Sequence, residues 1–187
     1  MFLVKRQNKA HAPYALPRKG DAVSLCESEM RIREYQESDR RHLKEITVIC
    51  FNGVSIEKNI EELLGQIAGK DWAWRKARQI DDDIATNPNG IFVAEEDGRP
   101  IGYITTRVDH ATKVGRIPNI SVLPACRKSG VGRKLMDKAF EYLSSENMEC
   151  VSIETLEQNA VGQKFYPSCG FREVARQIHY IKRLEAT

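Results

Sequence analysis

Arg127-Lys128-Ser129-Gly130-Val131-Gly132-Arg133-Lys134-Leu135 is the stretch on which the reading of this chain turns. Two glycines one residue apart let successive backbone N–H groups face one concavity with no side chain in the way. The apolar positions that follow, Leu135, Met136, Ala139, Tyr142 and Leu143, recur at helical spacing over Val131 to Ser145. The turn therefore opens a helix, whose start offers unpaired donors and about half a positive charge. Arg127, Lys128, Arg133 and Lys134 add local cations, and a pyrophosphate is the natural guest. The pattern alone also fits a plain turn and helix start. A Rossmann fingerprint needs a third small residue where Leu135 stands, and a Walker loop needs Lys-Ser/Thr after Gly132 instead of Arg133-Lys134.

Outward from this turn, the chain divides by pattern. Residues 115–122 and 151–156 read as strands, and a short helix spans 160–166 between the latter and a last strand candidate at 171–181. Upstream, Asn87-Pro88-Asn89-Gly90 is a strong turn, and Asp97-Gly98 is a hairpin turn between strands at 91–94 and 101–108. Before these, three helices are expected. Ser38, Ser55 and Asp71 serve as their N-caps, Gly53 breaks the first, and Ile80 and Ile84 face inward on the third. Trp72 and Trp74 read as aromatic packing on that third helix, and Asp81-Asp82-Asp83 as its solvated face. A strand at 30–35 precedes all three. The irregular segment 1–29, with Pro13, Pro17 and Gly20, reads as an extension, and 30–187 as one domain. The class is α/β (α+β) around a mixed sheet.

Composition narrows the function classes. The net charge of +3 is too small to argue for nucleic acid, and no apolar run approaches a membrane span, so neither partner is expected. The first residues, Met1-Phe2-Leu3-Val4 before Lys5-Arg6, lack the apolar core of a secretory signal. Five widely spaced cysteines, Cys26, Cys50, Cys126, Cys150 and Cys169, form no metal pattern and read as reduced thiols of a cytoplasmic protein. No metal is expected, and the sequence is compatible with a homodimer.

The turn resembles the signature of the GNAT superfamily of N-acetyltransferases, Arg/Gln-x-x-Gly-x-Gly/Ala, which Arg127, Gly130 and Gly132 fit. Two further stretches carry the likeness. Asn119-Ile120-Ser121-Val122-Leu123-Pro124 is similar to the family's fourth strand, and Phe165-Tyr166-Pro167-Ser168-Cys169-Gly170-Phe171 to its closing motif. The resemblance covers residues 30–181 and implies a mostly antiparallel, twisted sheet whose fourth and fifth strands splay apart. Acetyl-CoA would enter that gap as acyl donor. Its pantetheine arm would run beside Ile120, Ser121 and Val122 and contact Asn159. Its pyrophosphate would lie on Arg127, Lys128, Ser129, Gly130, Val131, Gly132 and Arg133.

The implied reaction is direct attack of a primary amine on the thioester. The amine could belong to a protein N-terminus, a lysine or a small molecule. Tyr166 is then the acid that protonates the leaving thiolate, near the sulfur. Glu154, in an apolar strand where burial would raise its pKa, is the base. The spacing Glu154, Asn159, Tyr166 is similar to that of family members that acetylate protein N-termini. Asp109 and His110 are reserves, and Cys169 matches no family nucleophile. A non-catalytic acyl-CoA-binding module shares the resemblance, and Glu154 with Tyr166 argues for turnover.

Overall fold

The computed structural model describes residues 30–184; the segment read as an N-terminal extension, with Cys26, lies outside the described residues. Five strands form one sheet in chain order: β1 (Arg31–Glu34), β2 (Ile91–Glu96), β3 (Arg99–Arg107), β4 (Val114–Val122) and β5 (Cys150–Ile153). The first three junctions are antiparallel and β4–β5 is parallel. Helices α1 (Arg40–Phe51), α2 (Ile56–Leu64) and α3 (Trp72–Thr86) connect β1 to β2. Helix α4 (Val131–Ser145) makes the crossover that parallel pairing requires, and α5 (Ala160–Ser168) follows β5. Among the described residues no helix is long and apolar enough to cross a membrane.

The sheet buries both faces. Phe92, Ile104 and Ile117 pack with Leu135, Met136 and Leu143 of α4 on one side. Ile91, Val93 and Tyr103 pack with Leu43 and Ile46 of α1 and Ile80 of α3 on the other. Period-2 alternation along β2 thus feeds two cores. Ser55 and Asp71 cap as expected, accepting from Lys58 N at 3.2 Å and Trp74 N at 2.8 Å. Ser38 does not cap: it lies inside a 3₁₀ turn, Glu37–Asp39, whose capping box joins Gln36 and Asp39.

One feature of β4 positions everything that follows. Thr105 pairs with Asn119 and Arg107 with Arg116, so between these pairs one residue of β3, Thr106, faces two of β4. The extra residue falls at Ile117–Pro118, a β-bulge that reverses which side chains face which layer. Below it, Gly115 abuts Leu143 and Ile117 enters the α4 core. Above it, Asn119 faces α3. Proline has no N–H to give a ladder, and β4–β5 pairing ends at Ile117↔Ile153. Beyond that rung the two strands share no hydrogen bond.

Three expectations fail here. Residues 171–184 form no strand; Val174 and Tyr180 are 96% and 90% exposed. A strand needs a neighbouring edge to bond, and a strand-like local sequence does not provide one. The tryptophans do not build the core: Trp74 is half-exposed under Lys70, and Trp72 lies under Lys58. Asp83 is not on a solvated face, since it is 1% exposed on the inner side of α3.

Candidate active site

The turn ahead of α4 takes the conformation that its glycines permit. Gly130 is the N-cap at φ +85°, a left-handed value that costs an L-residue about 1–2 kcal/mol. The first helical bond runs from Lys134 N to Gly130 O at 3.1 Å, which leaves the amides of residues 130–133 without a partner in the helix. Gly132 has a packing reason as well: a Cβ there would meet the Phe165 ring at 3.3 Å. Two of the four cations brace the turn. Arg127 Nε donates to Val122 O at 3.0 Å, and Arg133 Nη2 donates to the Ser168 carbonyl. Ser129 Oγ donates to Cys126 O at 2.8 Å, while Lys128 is exposed beside it. Val131 is buried in the core under the turn.

Strand β4 presents the second donor set. Leu123 N donates to Ile101 O at 2.9 Å and Asn119 N to Thr105 Oγ1 at 3.1 Å, both towards β3. Successive amides of a strand point to opposite edges, so those of Ile120 and Val122 point into the gap where β5 has departed. Ser121 does not join them. Its amide turns to β3, and its buried Oγ, on the α1 side, has no hydrogen-bond partner among the described residues.

Asn159 is committed within the chain. Its Oδ1 accepts from Gly162 N at 3.0 Å as N-cap of α5, and its Nδ2 donates to Thr155 Oγ1 at 2.9 Å. Tyr166 lies on α5 with its ring edge-on to Phe165 and Phe171, at 5.8 and 6.2 Å between centroids. Burial pushes its phenol up to about 12, while Thr155 beside it pulls slightly the other way. The hydroxyl is therefore a proton donor at every ordinary pH. Burial also pushes the Cys169 thiol up, the opposite of what a nucleophile needs.

Glu154 lacks the buried position expected from its strand. β5 ends at Ile153, so Glu154 stands just past the strand with its side chain 72% exposed, paired to Arg116 Nη2. It does border a cleft of about 230 Å³ at the β4–β5 fork, with Arg107, Arg116, Pro118 and Ile153. Asp109 accepts from Ala111 N and Thr112 N and serves its own turn, and His110 lies 3.7 Å from Glu146.

A buried polar network behind this cleft escaped sequence reading. Asp83 Oδ2 accepts from Thr105 Oγ1 at 2.8 Å and Asn119 Nδ2 at 2.7 Å; Oδ1 accepts from Arg107 Nη2 at 2.7 Å. Lys76 Nζ donates to Asn119 Oδ1 at 2.9 Å and lies 4.0 Å over the Phe51 ring. Burial pulls its ammonium pKa down, and Glu57 and Asp83 oppose that only in part. Pro118 inside a strand was the available signal for the bulge.

The fold has counterparts. The family model for the acetyltransferase (GNAT) family matches residues 55–171, and the chain belongs to that family. An uncharacterized N-acetyltransferase of Archaeoglobus fulgidus is 30% identical over 112 residues, which cover 55% of this chain and 76% of that protein. A mycothiol acetyltransferase of Thermomonospora curvata is 32% identical over 94 residues, covering 50% of this chain but only 31% of that longer protein. Among solved structures, the PaiA N-acetyltransferase of Thermoplasma acidophilum in complex with coenzyme A shares the fold. Its TM-score is 0.61 at 20% identity, over 77% of this chain and 90% of that one.

Proposed function

We propose that this chain transfers an acetyl group from acetyl-CoA to a primary amine by direct attack. The observation that carries the reading is the meeting of two donor sets. The gap-facing amides of Ile120 and Val122 lie one short link away from the unpartnered amides of residues 130–133. An extended pantetheine arm suits the first as an added strand suits an open edge. A pyrophosphate suits the second. Family membership and relatives named as N-acetyltransferases support transfer to nitrogen.

The chemistry asks little more. A lysine-like amine is neutral about once in a few thousand at pH 7, which costs about 4–5 kcal/mol; an α-amine costs about 1 kcal/mol. Glu154 takes the proton, directly or through a water, once an ammonium group displaces Arg116 from it. Attack forms the C–N bond, and a gap-facing β4 amide stabilises the oxyanion. Collapse breaks the C–S bond, and Tyr166 donates to the departing thiolate. The test is release of free CoA thiol from acetyl-CoA across a library of amines and peptides. Release with at least one amine supports the reading. Acetyl-CoA binding with no release from any amine makes the chain a binding module instead.

A further inference from the structure

The cleft at the fork carries an arrangement that acetyl-CoA does not use. Arg107 and Arg116 are Cα partners across the β3–β4 ladder, and both line the cleft. Like charges directly opposite on neighbouring strands are destabilising unless an anion lies between or beside them. Each arginine has one protein carboxylate, and neither is exhausted by it. Arg107 gives Nε and Nη2 to Asp83 Oδ1 at 3.2 and 2.7 Å. Arg116 gives Nη2 to Glu154. Arg107 Nη1 and Arg116 Nε and Nη1 have no hydrogen-bond partner among the described residues.

Resting on the acetyltransferase reading, we propose that the acceptor is a small molecule with a carboxylate close to its amine, the carboxylate held by Arg107 and Arg116 and the amine directed at Glu154. Guanidinium forks match carboxylate geometry and are the common choice for it. Arg107 is held in place before any ligand arrives. Asp83, which is fully buried, fixes it, and Thr105 and Asn119 fix Asp83. Arg107 itself stays 42% exposed and available.

Position and size agree with this acceptor. The cleft opens at the last β4–β5 rung, Ile117↔Ile153, directly below the β4 edge assigned to the thioester arm. Its volume of about 230 Å³ suits a molecule of amino-acid size and falls below the range of pockets that enclose drug-sized ligands. An amine with no anionic group would draw Glu154 from Arg116 and leave that arginine without an anion, and a polyamine would add repulsion. An acidic first residue of a peptide offers the same pair of groups, but the cleft volume favours the free molecule.

The test uses the full chain with saturating acetyl-CoA. CoA release is measured with the twenty common α-amino acids and γ-aminobutyrate, each beside its carboxamide. Tripeptide amides beginning with Asp or Glu form a second arm. At least one free acid should exceed its carboxamide thirtyfold or more in kcat/KM, mainly through KM. Arg116→Gln and Arg107→Gln should each cut that acid-to-amide ratio about tenfold or more, as loss of a charge-assisted hydrogen bond does. Because the ratio is taken within one variant, a general loss of activity cancels. A ratio near one for every acceptor turned over, an unchanged ratio in both variants, or acidic peptide amides outrunning every free acid would overturn the proposal. If no amine is turned over, the transferase reading has failed by itself. Calorimetric titration of the same pairs into the CoA-saturated protein then decides: heat with an acid and none with its amide upholds the site, and no heat with any acid ends it.

Discussion

Replacing Tyr166 by phenylalanine removes one oxygen and keeps the ring, so the edge contacts with Phe165 and Phe171 survive. The size of the effect follows from the phenol's position. Burial pushes its pKa up to about 12, whereas a thiol such as that of CoA ionises near 8.5. Handing the proton over completely would be uphill by about 3.5 units, or about 5 kcal/mol. The hydroxyl therefore acts mainly as a hydrogen-bond donor to the developing thiolate. Bonds to charged groups contribute about 1.5–3 kcal/mol, so kcat should fall roughly 10- to 150-fold. That lies at or below the lower end of general-acid effects. KM for acetyl-CoA should hardly move, because the bond strengthens only as the sulfur gains charge. No alkaline limb attributable to Tyr166 should appear in the wild-type rate profile below about pH 11. CoA-release kinetics and a melting curve on one preparation make the assay. Wild-type kcat in a folded variant would refute the reasoning and leave the thiolate to depart unaided.

Three further outcomes are expected. Gly130→Ala should weaken acetyl-CoA binding and lower stability by about 1–2 kcal/mol, because the left-handed cap is strained for any L-residue while nothing crowds its Cβ; calorimetry and urea melts check this. Glu154→Gln should change the acid-side limb of the pH–rate profile and leave acetyl-CoA affinity nearly unaltered; an identical profile would remove Glu154 from the mechanism. Stability should be full below pH 10 and decline as pH rises towards 12, because burial raises Tyr166 and Tyr35 to about 12 and raises Tyr103 as well. The folded chain holds those protons after the unfolded chain has lost its own, so unfolding becomes easier with rising pH. Urea midpoints measured from pH 8 to 11 would show it, and a flat series would contradict it.

Features settled within a few residues were the legible ones. The 127–135 turn announces itself because glycine spacing and a helix start are local, and the same holds for the Ser55 and Asp71 caps. Features decided by what lies across the fold were not. Asp83 sits in a run of three acids, and only the angular position of α3 against β3 and β4 puts it inside. Glu154 follows an apolar run that predicts burial, yet β5 stops one residue earlier because the bulge at Pro118 turns β4 away. Residues 171–181 read as a strand, but local sequence supplies no neighbouring edge for a strand to bond. Ser121 and Asn159 fall in the right motifs. The first nevertheless faces the far edge of β4, and the second spends its amide on capping α5.

The most direct test of the central claim is amide hydrogen exchange, read residue by residue by NMR, with and without acetyl-CoA. Exchange at Ile120 and Val122 should slow on binding, together with residues 130–133, because these amides have no acceptor among the described residues. Asn119 and Leu123 should keep their rates, since each already donates towards β3. Unchanged exchange at both Ile120 and Val122 under saturating acetyl-CoA would contradict the assignment of the fork as the acyl-donor site.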